Sequence, residues 1–256
     1  MPFTKQVNAE PIPGYRLIAP LGSGGFGEVW KCEAPGGLFK AIKFVYGNLN
    51  HVEGATCQAQ EELTAIQRIK DLRHPFLLSI DRVECSAGEL MIVTELADKN
   101  LHEVLLDYRK QGEPGVPRPE LLRYLREAAE VLDLMHDQHG LQHLDVKPRN
   151  FFLVSNHVKV ADFGLVTSLA GCANGVRVGA VTPLYAPPEV LQGSVNRNSD
   201  QYSLACCFME LLTGTLPFDG RNSRQMILLH LNAEPDLTLL SDHDRPIVAR
   251  ALSKDP

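Results

Sequence analysis

The chain changes character near residue 100. Before it lie short alternating or β-rich runs, Tyr15–Pro20, Glu28–Glu33, Phe39–Tyr46, Leu77–Glu84 and Glu89–Glu95, separated by turn signals such as Pro35-Gly36-Gly37 and Ala87-Gly88. One helical pattern interrupts them. In Glu61–Leu72, Ile66, Ile69 and Leu72 recur at three-residue spacing and drift slowly around one face. After residue 100 the patterns are mostly helical. Pro119–His139 carries Leu122, Leu125, Ala129, Leu132 and Met135, with Pro119 suited to a first turn, and Asp200–Thr213 reads as a buried helix with Asp200 near its N-terminal end. Gln111–Pro119, rich in Gly and Pro, reads as a loop. The order predicts an α+β chain: a small β-rich lobe with one helix, then a larger helical lobe.

Composition narrows the function classes. A net charge of −6 leaves no basic excess to neutralise nucleic acid phosphates. With 44% hydrophobic and 22% charged residues the chain can bury a sizeable core and is not of disordered composition. No apolar run approaches the ~20 residues that span a bilayer; the best stretch, Tyr202–Phe218, is interrupted by Glu210 and Pro217. Lys5 and Glu10 lie between prolines in a start that has no apolar signal segment, so a cytoplasmic location is expected. Six cysteines without a C-x-x-C are expected as buried thiols in a reducing compartment, Cys206-Cys207 within an apolar helix; Cys172 differs, lying in a loop of small residues.

The first chemical signal is Gly22-Ser23-Gly24-Gly25-Phe26-Gly27-Glu28-Val29. A dinucleotide-binding turn would need a helix after the glycines. Here Glu28–Glu33 is followed by a turn and Phe39-Lys40-Ala41-Ile42-Lys43, so the order is strand, turn, strand. A Gly-rich hairpin can close its backbone over phosphates without side-chain obstruction. Lys43 projects from an apolar run, where an unpaired ammonium is costly, and needs anionic partners. Glu62 is the preferred carboxylate because Ile66 and Ile69 lie four and seven residues on, whereas Glu61 would set Ala65 and Arg68 at those offsets.

The second signal is His143-Leu144-Asp145-Val146-Lys147-Pro148-Arg149-Asn150, followed by Phe151-Phe152-Leu153-Val154, Val158-Lys159-Val160 and Asp162-Phe163-Gly164. The apolar runs predict a hairpin that brings Asp162 back beside Asn150. Phosphoryl transfer asks a protein for metal ligands, cations and a group that orients the nucleophile. Asp145, Lys147, Asn150 and Asp162 supply a carboxylate, a cation and two oxygen ligands suited to Mg2+. His102, His136, His139 and His157 have no convincing ligand spacing for another metal.

These motifs, in this order over residues 15 to 256, resemble the eukaryotic-like protein kinases, and more closely the serine/threonine kinases of bacteria. The resemblance implies the two-lobed kinase fold with ATP in its cleft and Mg2+ as the metal: residues 1–14 an N-terminal extension, 15–97 the small lobe and hinge, and 98–256 the large lobe, cut before its final helix. It implies that Gly22, Gly24, Gly27 and Val29 lie over the phosphates, that Lys43 contacts them and pairs with Glu62, and that Glu95 and Ala97 offer hinge backbone to adenine beside Thr94. Val29, Ala41 and Phe152 would sandwich adenine, and Ile66, Ile80, His143 and Phe163 would form an apolar stack. Asp145 would be the catalytic base, Asn150 and Asp162 the Mg2+ ligands, Thr182 a contact that seats the substrate hydroxyl, and Asp200 a brace for the catalytic loop; Lys147 two residues after Asp145 is the serine/threonine pattern. Protein substrates are implied; the oligomeric state is left open.

Departures from the family pattern carry expectations too. Leu144 stands where an Arg usually pairs with an activation-segment phosphate, so activation is expected to be independent of phosphorylation there. Pro187-Pro188-Glu189 replaces the usual Ala-Pro-Glu, and Val181 a glycine. The Arg that pairs with Glu189 in the family has no counterpart, so Glu189 is expected to lack its partner. Arg149 before Asn150 argues against a strong preference for basic substrates. The alternative is a catalytically silent pseudokinase acting as an ATP-binding scaffold, which would show losses at Lys43, Asp145, Asn150 or Asp162; none occurs.

Overall fold

The computed structural model describes residues 4–25, 27–47, 49, 58–168 and 182–255. Two compact units divide the chain: Met1–Asp71 with Leu78–Asp98, and Leu72–Leu77 with Lys99–Pro256.

Alternation in the first unit builds an antiparallel five-stranded sheet from β1 (Arg16–Gly24), β2 (Gly27–Ala34), β3 (Leu38–Val45), β4 (Ile80–Ser86) and β5 (Glu89–Glu95), in the order β1-β2-β3-β5-β4. Because side chains alternate across a strand, the registers Trp30↔Ile42 and Ile42↔Val93 send Trp30, Ile42 and Val93 to one face, where they pack with Cys32, Phe44 and Met91. The residues before Tyr15 join this core: Ile12 is fully buried, and Asn8 N–H donates to Leu17 O at 2.8 Å. The helix α1 (Gln58–Ile69) packs with Val45, Leu90 and Ile92. It closes at Ile69, so Leu72, expected in the helix, is buried beyond its end.

Leu77 departs from the strand predicted for Leu77–Glu84, which starts instead at Ile80. Leu77 bridges Val160 in the second unit, whose N–H donates to Phe76 O at 2.8 Å, so the local apolar run is divided between two pairings.

In the second unit, β6 (Lys99–Asn100) leads into α2 (Leu101–Lys110), started by a reciprocal cap between Asn100 and Glu103. The long α3 (Arg118–His139) follows; its N-terminal Pro119 lacks an N–H that would have no helical partner anyway, and left-handed Gly140 ends it. Its buried side is Leu121, Tyr124, Leu125, Ala128, Val131, Leu132 and Met135, while Leu122, expected in the core, is exposed. Leu122 follows the buried Leu121 by about 100° around the helix and so falls beyond the edge of the buried face, whereas Leu125, Leu132 and Met135 lie on it. Then come β7 (Leu141–Gln142), a 3-10 turn Pro148–Asn150, the hairpin β8 (Phe151–Val154) and β9 (His157–Val160), β10 (Thr167–Ser168), α4 (Pro188–Leu191), α5 (Ser199–Thr213), α6 (Ser223–Asn232) and α7 (Arg245–Ala251). Among the described residues no helix is long and apolar enough to cross a membrane.

Candidate functional site

In the first unit, β1 extends through the glycines, with Gly22↔Val29 and Gly24↔Gly27 in register. A Cβ built on Gly27 would lie 2.2 Å from Phe44 O, so the neighbouring strand itself excludes a side chain there. At Gly22 and Gly24 a Cβ would meet nothing within 4 Å; there the glycines leave open space above the strand. Phe26 lies outside the described residues.

Lys43 faces away from the Trp30–Phe44 core because it alternates with Ile42 and Phe44. It shares a sheet face with Ala41 and, by register, with Val29 and Thr94. Its Nζ donates to Glu62 Oε1 at 3.0 Å. Glu62 lies on the buried side of α1 with Ala59, Ala65 and Ile69, whereas Glu61 is only half-buried. Ala65 therefore belongs to the core side with Ile69, contrary to its use against Glu61, while Ile66 is only half-buried. Glu95 closes β5: its N–H donates to Ser79 O at 3.1 Å, its carboxylate takes Ser79 N–H at 2.8 Å, and its carbonyl takes the Thr94 hydroxyl at 3.1 Å. Ala97 is half-buried in the irregular stretch that follows.

The second unit gathers a polar set around Asp145, a buried carboxylate. Oδ1 accepts the Thr182 hydroxyl at 3.0 Å; Oδ2 accepts Lys147 Nζ at 2.7 Å and Asn150 Nδ2 at 2.9 Å. Asn150 Nδ2 also reaches Asp145 O at 2.8 Å, and Lys147 Nζ donates to Thr182 Oγ1 at 3.2 Å. With Nδ2 committed, the donor atom Asn150 can offer a cation is its amide oxygen. The hairpin returns Asp162 to this neighbourhood: Phe151 pairs with Val160, and Ala161 N–H donates to Asn150 O at 3.0 Å. Asp162 has left-handed backbone, φ 65°. Phe152 is half-buried on β8, opposite Lys159 and Asn100.

The backbone that presents Asp145 is held from α5. Asp200 Oδ2 accepts His143 N–H at 2.7 Å and Oδ1 accepts Leu144 N–H at 2.8 Å. Burial raises the Asp200 pKa above the ordinary carboxylate range, against the lowering pull of His143 and of those two N–H groups. His143 Nδ1 accepts Asp145 N–H at 3.3 Å, which puts the ring proton on Nε2, 3.1 Å from Ala161 O; the ring lies 5.2 Å from that of Phe163. Leu144, at φ 62°, packs with Ala186, Val190 and Leu165. Glu189, whose expected partner was an arginine, has a neutral one here: its Oε1 accepts the buried Ser199 hydroxyl at 2.8 Å. Val181 and Cys172 lie outside the described residues.

Sequence reasoning missed Glu127. Buried on α3, it accepts Val158 N–H at 2.7 Å and lies 2.9 Å from His157 Nδ1, tying the hairpin to the helix. The signal was there: an acid three residues after Tyr124 and next to Ala128, on the apolar side of the helix.

Comparison with known proteins follows the same lines. A family model described as "Protein kinase domain" matches residues 15–250. The chain is 32% identical to serine/threonine-protein kinase PknF of Mycobacterium tuberculosis, over 95% of this chain and 52% of that protein. It is 30% identical to the probable serine/threonine-protein kinase PknB of Lactococcus lactis, over 94% of this chain and 39% of the relative. With pkn2 of Myxococcus xanthus the identity is 30%, over 92% and 28%. The chain thus spans about half the length, or less, of these curated relatives.

Proposed function

The chain belongs to the protein kinase domain family, and from that premise we propose that it transfers the γ-phosphate of ATP to serine and threonine hydroxyls of protein substrates, with Mg2+ as the divalent cation. The observation that carries this reading is the set of hydrogen bonds that Asp145 receives from Thr182, Lys147 and Asn150. A carboxylate held in this way can orient an incoming hydroxyl and accept its proton, and the Lys147 ammonium brings positive charge to where phosphoryl oxygens gain negative charge. Lys147 two residues after Asp145, and the names of the relatives, favour serine and threonine over tyrosine.

In the first unit we assign Gly22, Gly24, Gly27 and Lys43 to the phosphates, Val29 and Ala41 to adenine, and Glu95 and Ala97 to backbone contacts with it; Glu62 holds Lys43. The open space above Gly22 and Gly24 supports the phosphate assignment. In the second unit we assign Phe152 to adenine, and Asn150 and Asp162 to the cation. The donor set fits: an amide oxygen and a carboxylate are the hard ligands that Mg2+ takes. When bound, the cation supplies charge neutralisation for the phosphate oxygens. Cytoplasmic location is part of this reading, supported by the free thiols Cys32, Cys85, Cys206 and Cys207, of which Cys85, expected to be buried, is exposed. Independence from activation-segment phosphorylation is supported by the apolar seat of Leu144, which offers a phosphate no cation; alanine at Thr167 and Ser168 is expected to leave activity unchanged.

The test is phosphate transfer from Mg·ATP by the chain and by Asp145→Asn, with modified residues mapped by mass spectrometry. Transfer to serine or threonine by the parent alone is expected. Equal transfer by both, or modification of tyrosine only, would refute the assignment.

A further inference from the structure

His230 on α6 is fully buried and has no part in the reading above. Its Nε2 lies 3.2 Å from Leu184 O, and its Nδ1 lies 2.9 Å from the Tyr202 hydroxyl. A carbonyl only accepts, so Nε2 carries the proton and Nδ1 takes the O–H of Tyr202. The two bonds define one neutral tautomer. The ring packs 4.6 Å from Phe218 and 5.7 Å from Tyr202, and the Lys254 ammonium stands 4.2 Å over the Phe218 ring. Burial first, then the Lys254 charge, lowers the imidazole pKa to about 4, against the raising pull of the bond to Leu184.

Leu184 lies two residues after Thr182, the residue bonded to Asp145 and Lys147. The same segment is gripped a second time from α5, where Ser203 Oγ donates to Tyr185 O at 2.8 Å and the Tyr185 hydroxyl donates to Glu210 at 2.7 Å. Within the segment, Tyr185 N–H donates to Thr182 O at 3.2 Å. Without the contact from α6, Leu184 O, between Thr182 and the α5 grip, would lose its partner. Resting on the kinase reading for its consequence, we propose that His230 is a positioning residue: the chain Tyr202–His230–Leu184 fixes the segment Thr182–Ala186, and so acts on the seating of the protein substrate and not on the handling of ATP.

The test uses the full chain with His230→Phe, which fills the space without hydrogen bonds, and His230→Gln, which keeps a donor and an acceptor. Hydrogen exchange reads the positioning without turnover. In His230→Phe the Tyr185 amide is expected to exchange about ten-fold faster, the order expected for one lost hydrogen bond, with α3 core amides unchanged and His230→Gln restoring most of the protection. For protein phosphorylation, kcat/KM for the protein substrate should fall about ten-fold while KM for ATP stays put. Should His230→Phe fail to fold, Tyr202→Phe removes only the hydroxyl that donates to Nδ1 and should move both readouts in the same direction. Unchanged exchange at Tyr185, or an equal loss of ATP affinity, would overturn the proposal. A parent chain that transfers no phosphate would refute the kinase reading, and the exchange comparison would still decide the role of His230.

Discussion

Replacing Asp200 with alanine removes the acceptor for two backbone N–H groups at once. Those of His143 and Leu144, at 2.7 and 2.8 Å, belong to residues with 0% and 3% exposure, so both would be left buried and unpaired. Each such group costs ~1–3 kcal/mol, or ~2–6 kcal/mol for the pair. Two effects reduce the loss. The Asp200 pKa is raised by burial, so the carboxylate is itself held at a cost that alanine relieves. Leu144 sits at φ 62°, a left-handed conformation that costs a non-glycine residue ~1–2 kcal/mol and can relax once its N–H is released. A net destabilisation of ~2–4 kcal/mol is therefore expected. Asp200→Asn keeps one acceptor but turns an NH2 toward the other N–H, and should lose ~1–2 kcal/mol. Urea unfolding should be followed by far-ultraviolet circular dichroism, because the single tryptophan, Trp30, reports only on the first unit. The raised pKa has a defined sign: ionisation of Asp200 costs stability as pH rises from the ordinary value of 3.8 through the higher folded one, and Asp200→Asn should remove that slope. An Asp200→Ala protein within ~1 kcal/mol of the parent at equal denaturant slope would refute the account, since it would mean that the two N–H groups find other partners.

Glu62→Ala takes from Lys43 the carboxylate at 3.0 Å, and kcat/KM for ATP is expected to fall ~10–100-fold with the fold intact, measured by steady-state kinetics beside a melting curve. His230 is neutral in the fold, with its pKa lowered from 6.5 to about 4, so its contribution is complete above pH 6.5 and is lost as pH falls toward 4. The loss is on the order of 3 kcal/mol, and unfolding titrations of His230→Gln should lack it. Arg118 donates to both oxygens of Asp244 and holds its carboxyl below the usual 3.8, so this pair stabilises above that pH and fades as pH falls through the lowered value. The stability difference between the parent and Arg118→Gln should be constant near neutrality and shrink in acid; a difference that grows in acid would contradict it.

Much of the local structure was legible in the residues. Alternation located the strands of the first unit within a few positions, because a strand with one apolar face must repeat every second residue. Pro119 marked the first turn of α3, and the helix closes at His139, where the pattern was ended. Spacing alone also kept Asp145, Lys147 and Asn150 near one another, since residues so close in sequence cannot be far apart. The errors have two causes. Leu122 is exposed and Ala65 buried because apolar spacing places a helix face only to within about one residue, or about 100° of rotation. Leu77 left its predicted strand because a competing partner, Val160, lies 83 residues away in sequence.

The sequence by itself determined the element types, the Gly-rich hairpin and which side chains have chemistry to offer, because periodicity and turn chemistry act within a few residues. Only the tertiary structure decided that Glu127 holds the start of β9, that the brace implied at Asp200 takes the N–H groups of His143 and Leu144 in particular, and that His230 reaches Leu184. Those bonds join residues 31 to 57 positions apart. Each exists because packing withdraws a polar group from water and leaves it a single partner, a condition no local stretch of sequence contains.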